Sequence, residues 1–273
     1  MIDLKRNSKK IPVKATGLRV KKKSIYTPNQ REDFKISRGK FSNFLSCQKC
    51  FYLDRVKGLD APGTPAWTLN ETTDLLLKKE FDKCREIQKP HRIFLEHNLK
   101  HLVPFKHPEI DKWRDSLHAG LMLRYKHSNI ILTGGVDDIW QDTLTEELII
   151  VDYKSQAKQG IINTKEYLND PFHEGYKIQM DFYAYLLEGM GFNVSPISYF
   201  LVCNADRSRG DFQKAMHFEE YLIPYTWNNS WIEKKIDLML EIINNNQIPK
   251  ANECCKNCAY SYQFARLHKA GLD

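Results

Sequence analysis

A chain of 273 residues with 42% hydrophobic and 27% charged residues has the composition of a globular protein long enough to bury a substantial core, and one elaborated domain is expected. No apolar run approaches the roughly 20 residues that a membrane helix needs, and the basic start has no apolar stretch behind it, which argues against a membrane span or secretory leader and for a cytoplasmic protein. The net charge of +7 is unevenly held: residues 1–31 carry ten Lys or Arg against Asp3 alone, so the rest sums to −2. Residues 1–33 are therefore read as a basic, flexible arm able to add sequence-independent affinity for phosphates, and residues 34–273 as a single domain.

In chain order, the stretch from Phe34 leads into Cys47-Gln48-Lys49-Cys50-Phe51-Tyr52-Leu53, read as a short helix carrying a cysteine pair. Gly58 to Pro65 is loop-like, punctuated by Pro62, Gly63 and Pro65. Leu69 to Arg85 predicts a helix, with Leu76, Leu77 and Phe81 backed by Lys78, Lys79 and Lys83; Glu71, Glu80 and Asp82 on it read as solvent-facing. A helix is expected around Trp113 to Leu121. The run Ile130 to Trp140 is β-rich, its Gly134 and Gly135 allow close backbone approach, and its Asp137 shares a strand face with Ile139. Polar Gln141 to Glu147 fits a hairpin connection to the strand Ile149 to Lys154, where Asp152 and Lys154 take one face and Tyr153 the other. Tyr176 to Leu187 predicts a helix on which Gln179 and Tyr183, four apart, share a face. Strands follow at Ile197 to Cys203 and Ala215 to Ile223. A last helix spans Trp231 to Ile243, with Ser230 and Glu233 as its capping box.

Alone, an Asp-x-Lys at a strand end reads most simply as a strand running out into solvent. Antiparallel pairing of the two strands, however, brings Asp137 near Asp152 and Lys154. A carboxylate buried beside an ammonium needs a partner, and two carboxylates with one lysine suit a hard, oxygen-liganded cation such as Mg²⁺ or Mn²⁺.

Taken together, Gly134-Gly135-Val136-Asp137, Asp152-Tyr153-Lys154 and Gln179 through Tyr183 resemble the motifs of the PD-(D/E)XK nuclease superfamily. The likeness is to its RecB-like branch, which includes the exonucleases of CRISPR adaptation and the nuclease domains of recombination helicases. The resemblance implies an α/β, restriction-endonuclease-like core, with a central mixed β-sheet flanked by helices. It implies a metal-dependent deoxyribonuclease hydrolysing phosphodiester bonds. The expected mode is an exonuclease on single-stranded DNA or DNA ends, in repair, recombination or defence, with a helicase or another recombination or defence protein as partner and no membrane. By the same resemblance Asp137, Asp152 and the Tyr153 carbonyl would ligate Mg²⁺ or Mn²⁺, and Lys154 would orient water or stabilise developing charge. Gln179 and Tyr183 would contact the nucleic acid and brace the site. Relatives often supply a histidine from an early helix; in Asn70-Glu71-Thr72-Thr73-Asp74 the comparable position is Asp74, taken as a further ligand. Asp138 faces away and is no ligand. Segments Phe51 to Arg55, Trp67 to Asn70 and Leu76 to Asp82 are also similar to a group of small bacterial proteins. No GxxxxGK[ST] or Gly-x-Ser-x-Gly occurs, and His97-x-x-x-His101 lacks a third ligand. The alternative reading is a catalytically inactive nucleic-acid-binding or scaffold module of the same fold.

Seven cysteines, an odd number, argue against a disulfide framework. Cys84 and Cys203 read as small buried residues. Cys47-x-x-Cys50 and Cys255-x-x-Cys258 offer four thiolates with metal-ligand spacing, and such a set suits Zn²⁺ or an iron-sulfur cluster equally. Several RecB-like nucleases hold an iron-sulfur cluster with one cysteine before the core and three after it. This chain departs from that with two and two, but the resemblance tilts the expectation to [4Fe-4S], with Zn²⁺ next.

Overall fold

A computed structural model describes residues 4–63 and 67–270; Pro65 lies outside them. After a short 3-10 turn, Lys22–Ser24, come β1 (Phe34–Ser37), α1 (Arg38–Ser46) and α2 (Gln48–Arg55). Next are α3 (Thr68–Ile87), α4 (Arg92–Glu96), β2 (Leu102–Pro104), α5 (Ile110–Arg114) and β3 (Leu121–Arg124). The middle of the chain forms β4 (Ile130–Gly134), β5 (Asp138–Asp142), β6 (Leu148–Gln156), α6 (Thr164–Asn169) and α7 (Glu174–Gly189). It ends in β7 (Ile197–Ala205), β8 (Phe218–Thr226), α8 (Ile232–Asn244) and α9 (Lys256–Lys269). No helix of the described residues is long and apolar enough to cross a membrane.

The described residues divide into two compact units, 4–34 with 43–63 and 236–270, and 35–42 with 67–235. In the larger unit a five-stranded sheet runs in the order β2-β5-β6-β7-β8. Every pairing in it is antiparallel except β6 with β7, which is parallel with Val151 opposite Tyr199. A parallel pair needs a long crossover, and α6 and α7 provide it. The expected mixed α/β sheet flanked by helices is present. β6 is the central strand, and Leu148 to Tyr153 are all buried, as expected of a strand covered on both faces. Phe81 of α3 packs on one face beside Trp140 and Tyr153, with ring centroids 5.3 and 5.9 Å apart. On the other face α7 buries Met180, Phe182, Ala184 and Leu187.

The strand expected at Ala215 to Ile223 is shifted to Phe218–Thr226, and two further elements differ from the sequence reading. The run Ile130 to Trp140 is two strands in two sheets: β4 pairs with β3 in a three-stranded sheet, and β5 joins the main sheet. The chain changes sheet at Gly135-Val136-Asp137. The helix expected around Trp113 to Leu121 stops at Arg114, because Asp115 turns its carboxylate onto the backbone N–H groups of Leu117 and His118, at 3.1 and 3.0 Å. Gly120, at φ +86°, then enters β3; that left-handed conformation favours glycine.

In the smaller unit, buried Tyr26 donates from its hydroxyl to Asn244 Oδ1 (2.8 Å), and Tyr52 donates to the Asn245 carbonyl (2.9 Å). Part of the basic segment packs here, since Arg19 pairs with Asp54 at 2.5 Å and Leu18 bridges to Leu59.

Candidate functional site

The β5–β6 register, Asp138 opposite Val151, sets Asp137 just ahead of β5 and level with the end of the buried part of β6. Asp137 Oδ2 accepts the Tyr153 backbone N–H at 2.9 Å. The turn carrying Asp137 fits because its glycines have no side chain. A Cβ on Gly134 would lie 2.6 Å from Tyr183 Cε1, and one on Gly135 would lie 2.6 Å from Ser116 Cα.

Asp152 is fully buried. Its Oδ1 accepts from Gln179 Nε2 at 2.6 Å, while Oδ2, closed off from solvent, is paired with the Lys154 ammonium. Lys154 Nζ also lies 4.6 Å from the centre of the Tyr176 ring and 3.4 Å from the Tyr153 carbonyl oxygen. Gln179 Nε2 donates as well to the Tyr183 hydroxyl (3.3 Å), which in turn donates to the Gly135 carbonyl at 2.5 Å. Helix α7 thus fastens both β6 and the turn bearing Asp137. Gln179 and Tyr183 are buried, with the Gln179 amide nitrogen and the Tyr183 hydroxyl engaged inside the protein.

Electrostatics mark this cluster. Burial pushes the Asp152 carboxyl from its ordinary 3.8 up to about 7; Lys154 pulls it back and the adjacent Asp137 pushes it further up. Burial also disfavours the Lys154 ammonium, but Asp152 and Asp137 outweigh it and raise the lysine. Asp74, on α3, is raised to about 6 by burial and then by the charge of Asp137, against the pull of Lys78 and Lys154. Carboxylates that destabilise one another in a buried place form a donor set that suits a hard divalent cation. Asp137 and Asp152 adjoin; Asp74 lies within electrostatic reach, and the three do not draw into one tight cluster.

On the opposite face of β6 lies a network that the sequence did not disclose. The Tyr153 hydroxyl donates to Asp138 Oδ2 at 2.9 Å, and the Arg85 guanidinium contacts Asp138 and Asp82 and donates to the Phe105 carbonyl at 2.8 Å. Arg114 donates to Asp82 at 2.8 Å. Asp138 does face away from Asp152, as expected, but Asp82 and Glu80 are not simply solvent-facing: Asp82 serves two arginines, and Glu80 meets His91 at 3.0 Å and Arg92 at 3.2 Å. Arg38, the first residue of α1, was also missed; its guanidinium bonds the Tyr183 side chain. An arginine with no motif around it gives no sequence signal for either role.

Beyond Lys154 the strand runs into a groove of about 550 Å³ between the first turns of α3 and the ends of β6, β7 and β8. Leu69 and Leu76 of α3 and Trp67 just ahead of it line the groove, with Phe218 opposite, and all four are exposed. Ser155 Oγ and Gln156 Nε2 on the same strand are buried without a hydrogen-bond partner.

In the smaller unit the four cysteines singled out by spacing come together. Cys50 Sγ lies 3.3 Å from Cys258 Sγ and 3.5 Å from Cys255 Sγ, and Cys47 Sγ lies 3.8 Å from Cys258 Sγ. All four sulfurs fall within 4.8 Å of one another, a group able to hold a metal. Cys203 is buried and Cys84 half-buried, both outside this group.

A family model described as the PD-(D/E)XK nuclease superfamily matches residues 66–262, more than half of the chain. No curated protein matches it.

Proposed function

The chain belongs to the PD-(D/E)XK nuclease superfamily, whose members are typically metal-dependent nucleases, and from that premise we propose that it hydrolyses phosphodiester bonds in DNA with Mg²⁺ or Mn²⁺, acting on single strands or strand ends. The observation that carries this reading is the buried Asp152, held between Gln179 and Lys154 and facing Asp137. The spacing of Asp152-x-Lys154 and Gln179-x-x-x-Tyr183 supports the RecB-like branch.

Asp137, Asp152 and the Tyr153 carbonyl would hold the cation, with Asp74 from α3 within electrostatic reach as a further ligand once the ion draws it in. A divalent ion bound there supplies a nucleophilic water of lowered pKa and polarises the phosphoryl oxygen. Lys154 orients the water and offsets negative charge that grows on the phosphate. Gln179 holds Asp152 Oδ1, so the other oxygen keeps its direction, and Tyr183 pins the Gly135 carbonyl and with it the turn of Asp137.

The groove beyond Lys154 supports an unpaired strand as substrate. A duplex hides the faces of its bases, whereas an unpaired base offers a π face to Trp67 or Phe218 and a hydrogen-bonding edge to Gln156. The acidic end of this groove is neutralised, since Arg92 pairs with both Glu80 and Glu220.

Cleavage of end-labelled single- and double-stranded oligodeoxynucleotides with Mn²⁺ tests the reading. Asp152→Asn and Lys154→Ala should each lower turnover by about 10²–10³, the range for loss of a charge-stabilising group. Trp67→Ala should weaken single-strand binding by roughly tenfold, the loss of one stacked base, and leave duplex binding unchanged. A wild-type protein that binds DNA but cuts none of these substrates is a binding module instead.

A further inference from the structure

The four-cysteine centre carries geometric information that the motif does not. Four thiolates bonded to one ion at about 2.3 Å in a tetrahedron stand about 3.8 Å from one another. Three of the six separations, 3.3, 3.5 and 3.8 Å, lie within about half an ångström of that edge, and all six are within 4.8 Å. An iron-sulfur cube places each cysteine on a different iron with bridging sulfides between, which spreads the cysteine sulfurs well beyond the edge of a single-ion tetrahedron. The separations also exceed the roughly 2.05 Å of a disulfide, and all four cysteines are free.

The surroundings fit the same occupant. Cys47 and Cys255 are the N-cap residues of α2 and α9, so each knuckle sits where a helix directs unpaired N–H groups at negative charge. Asn252 Nδ2 donates to the Ser46 carbonyl at 2.9 Å, and its Oδ1 accepts the Cys254 N–H at 2.9 Å, tying the two knuckles together. Four thiolates with one dication leave a charge of −2, and a lysine stands inside each knuckle, Lys49 and Lys256. The two-plus-two arrangement of cysteines agrees with a pair of knuckles closing on one ion.

We propose that Cys47, Cys50, Cys255 and Cys258 bind a single tetrahedral Zn²⁺, and that the iron-sulfur cluster suggested by resemblance does not fit this chain. The site is closed by four protein ligands, so its role is structural. This inference is independent of the nuclease reading.

The full chain, purified without oxygen so that no cluster is lost, is to be analysed for zinc, iron and acid-labile sulfide. One zinc per chain, no sulfide and no colour are expected. Metal-depleted protein given Co²⁺ should develop the visible bands of a tetrahedral tetrathiolate, a readout that needs no variant to fold. Cys258→Ser should lose zinc, while Cys254→Ser, whose cysteine is exposed and outside the group, should keep it. Iron with sulfide, a chain without metal, or full zinc retention by Cys258→Ser each overturns the proposal.

Discussion

Replacing Asp138 with alanine strikes the network behind the candidate site. Its carboxylate is fully buried, accepts the Tyr153 hydroxyl at 2.9 Å and faces the Arg85 guanidinium. The substitution leaves a buried hydroxyl without its acceptor, at about 1–3 kcal/mol, and breaks a buried ion pair, at about 3–5 kcal/mol. Arg85 keeps Asp82 and the Phe105 carbonyl, which holds the second term at its low end. The two terms also share one environment and do not add fully. A loss of about 3–4 kcal/mol follows, and at 2–4 °C per kcal/mol for a domain of this size the melting temperature should fall by roughly 6–16 °C. Thermal melts followed by circular dichroism measure it. Combining Asp138→Leu, Arg85→Met and Tyr153→Phe removes the charges and the hydroxyl together, and apolar replacement of a whole buried network is often near neutral. The triple variant should therefore be more stable than Asp138→Ala. A fall smaller than about 2 °C for the single variant, or a triple variant less stable than the single, refutes the reasoning.

Gly134→Ala drives a methyl to 2.6 Å from the Tyr183 ring; overpacking of this kind costs about 1–3 kcal/mol, and cleavage should fall more than stability because the ring also holds the Gly135 carbonyl. Parallel melts and turnover assays would show whether the two move together. Tyr183→Phe keeps the ring but not the hydroxyl, so it should cost about 0.5–1.5 kcal/mol and slow turnover, as read by the same assays. With chelator present, the raised Asp74 and Asp152 carboxyls, at about 6 and about 7, bind protons more tightly folded than unfolded. Their contribution is thus complete below the ordinary carboxylate range and is lost as pH rises through 6 to 7. Metal-free protein should melt lower at about pH 8 than at about pH 5, Asp152→Asn should flatten that slope, and Mn²⁺ should raise the melting temperature most at the higher pH.

Periodicity placed the strand Ile149 to Lys154 well. The buried run Ile149 to Val151 and the alternation of Asp152, Tyr153 and Lys154 needed only period-two geometry, and the facing pair Gln179 and Tyr183 needed only helical spacing. The Ile130 to Trp140 run failed differently. Its residues favour strand throughout, and nothing local states that the chain leaves one sheet for another at Gly135, since that depends on Ser116 and Tyr183 arriving from distant segments. The helix around Trp113 was overextended because Asp115 can cap a turn as readily as continue a helix, and only the tertiary position decides. Glu233, expected in a capping box, instead meets Tyr185 at 3.3 Å and Lys126 at 3.2 Å. Long-range salt bridges such as Arg85 with Asp138, 53 residues apart, leave no periodic trace.

The cysteine knuckles lie 205 to 211 residues apart along the chain, and every element from α3 to β8, Thr68 to Thr226, is strung between them. With metal bound, tension applied at the two termini travels from one knuckle to the other across the ion and bypasses that long loop. An unfolding motor or an optical trap pulling on the ends would have to peel β1 from β4 and then part the metal–thiolate bonds before that loop is loaded. Until they part, the strand bearing Asp152 and Lys154 carries no load.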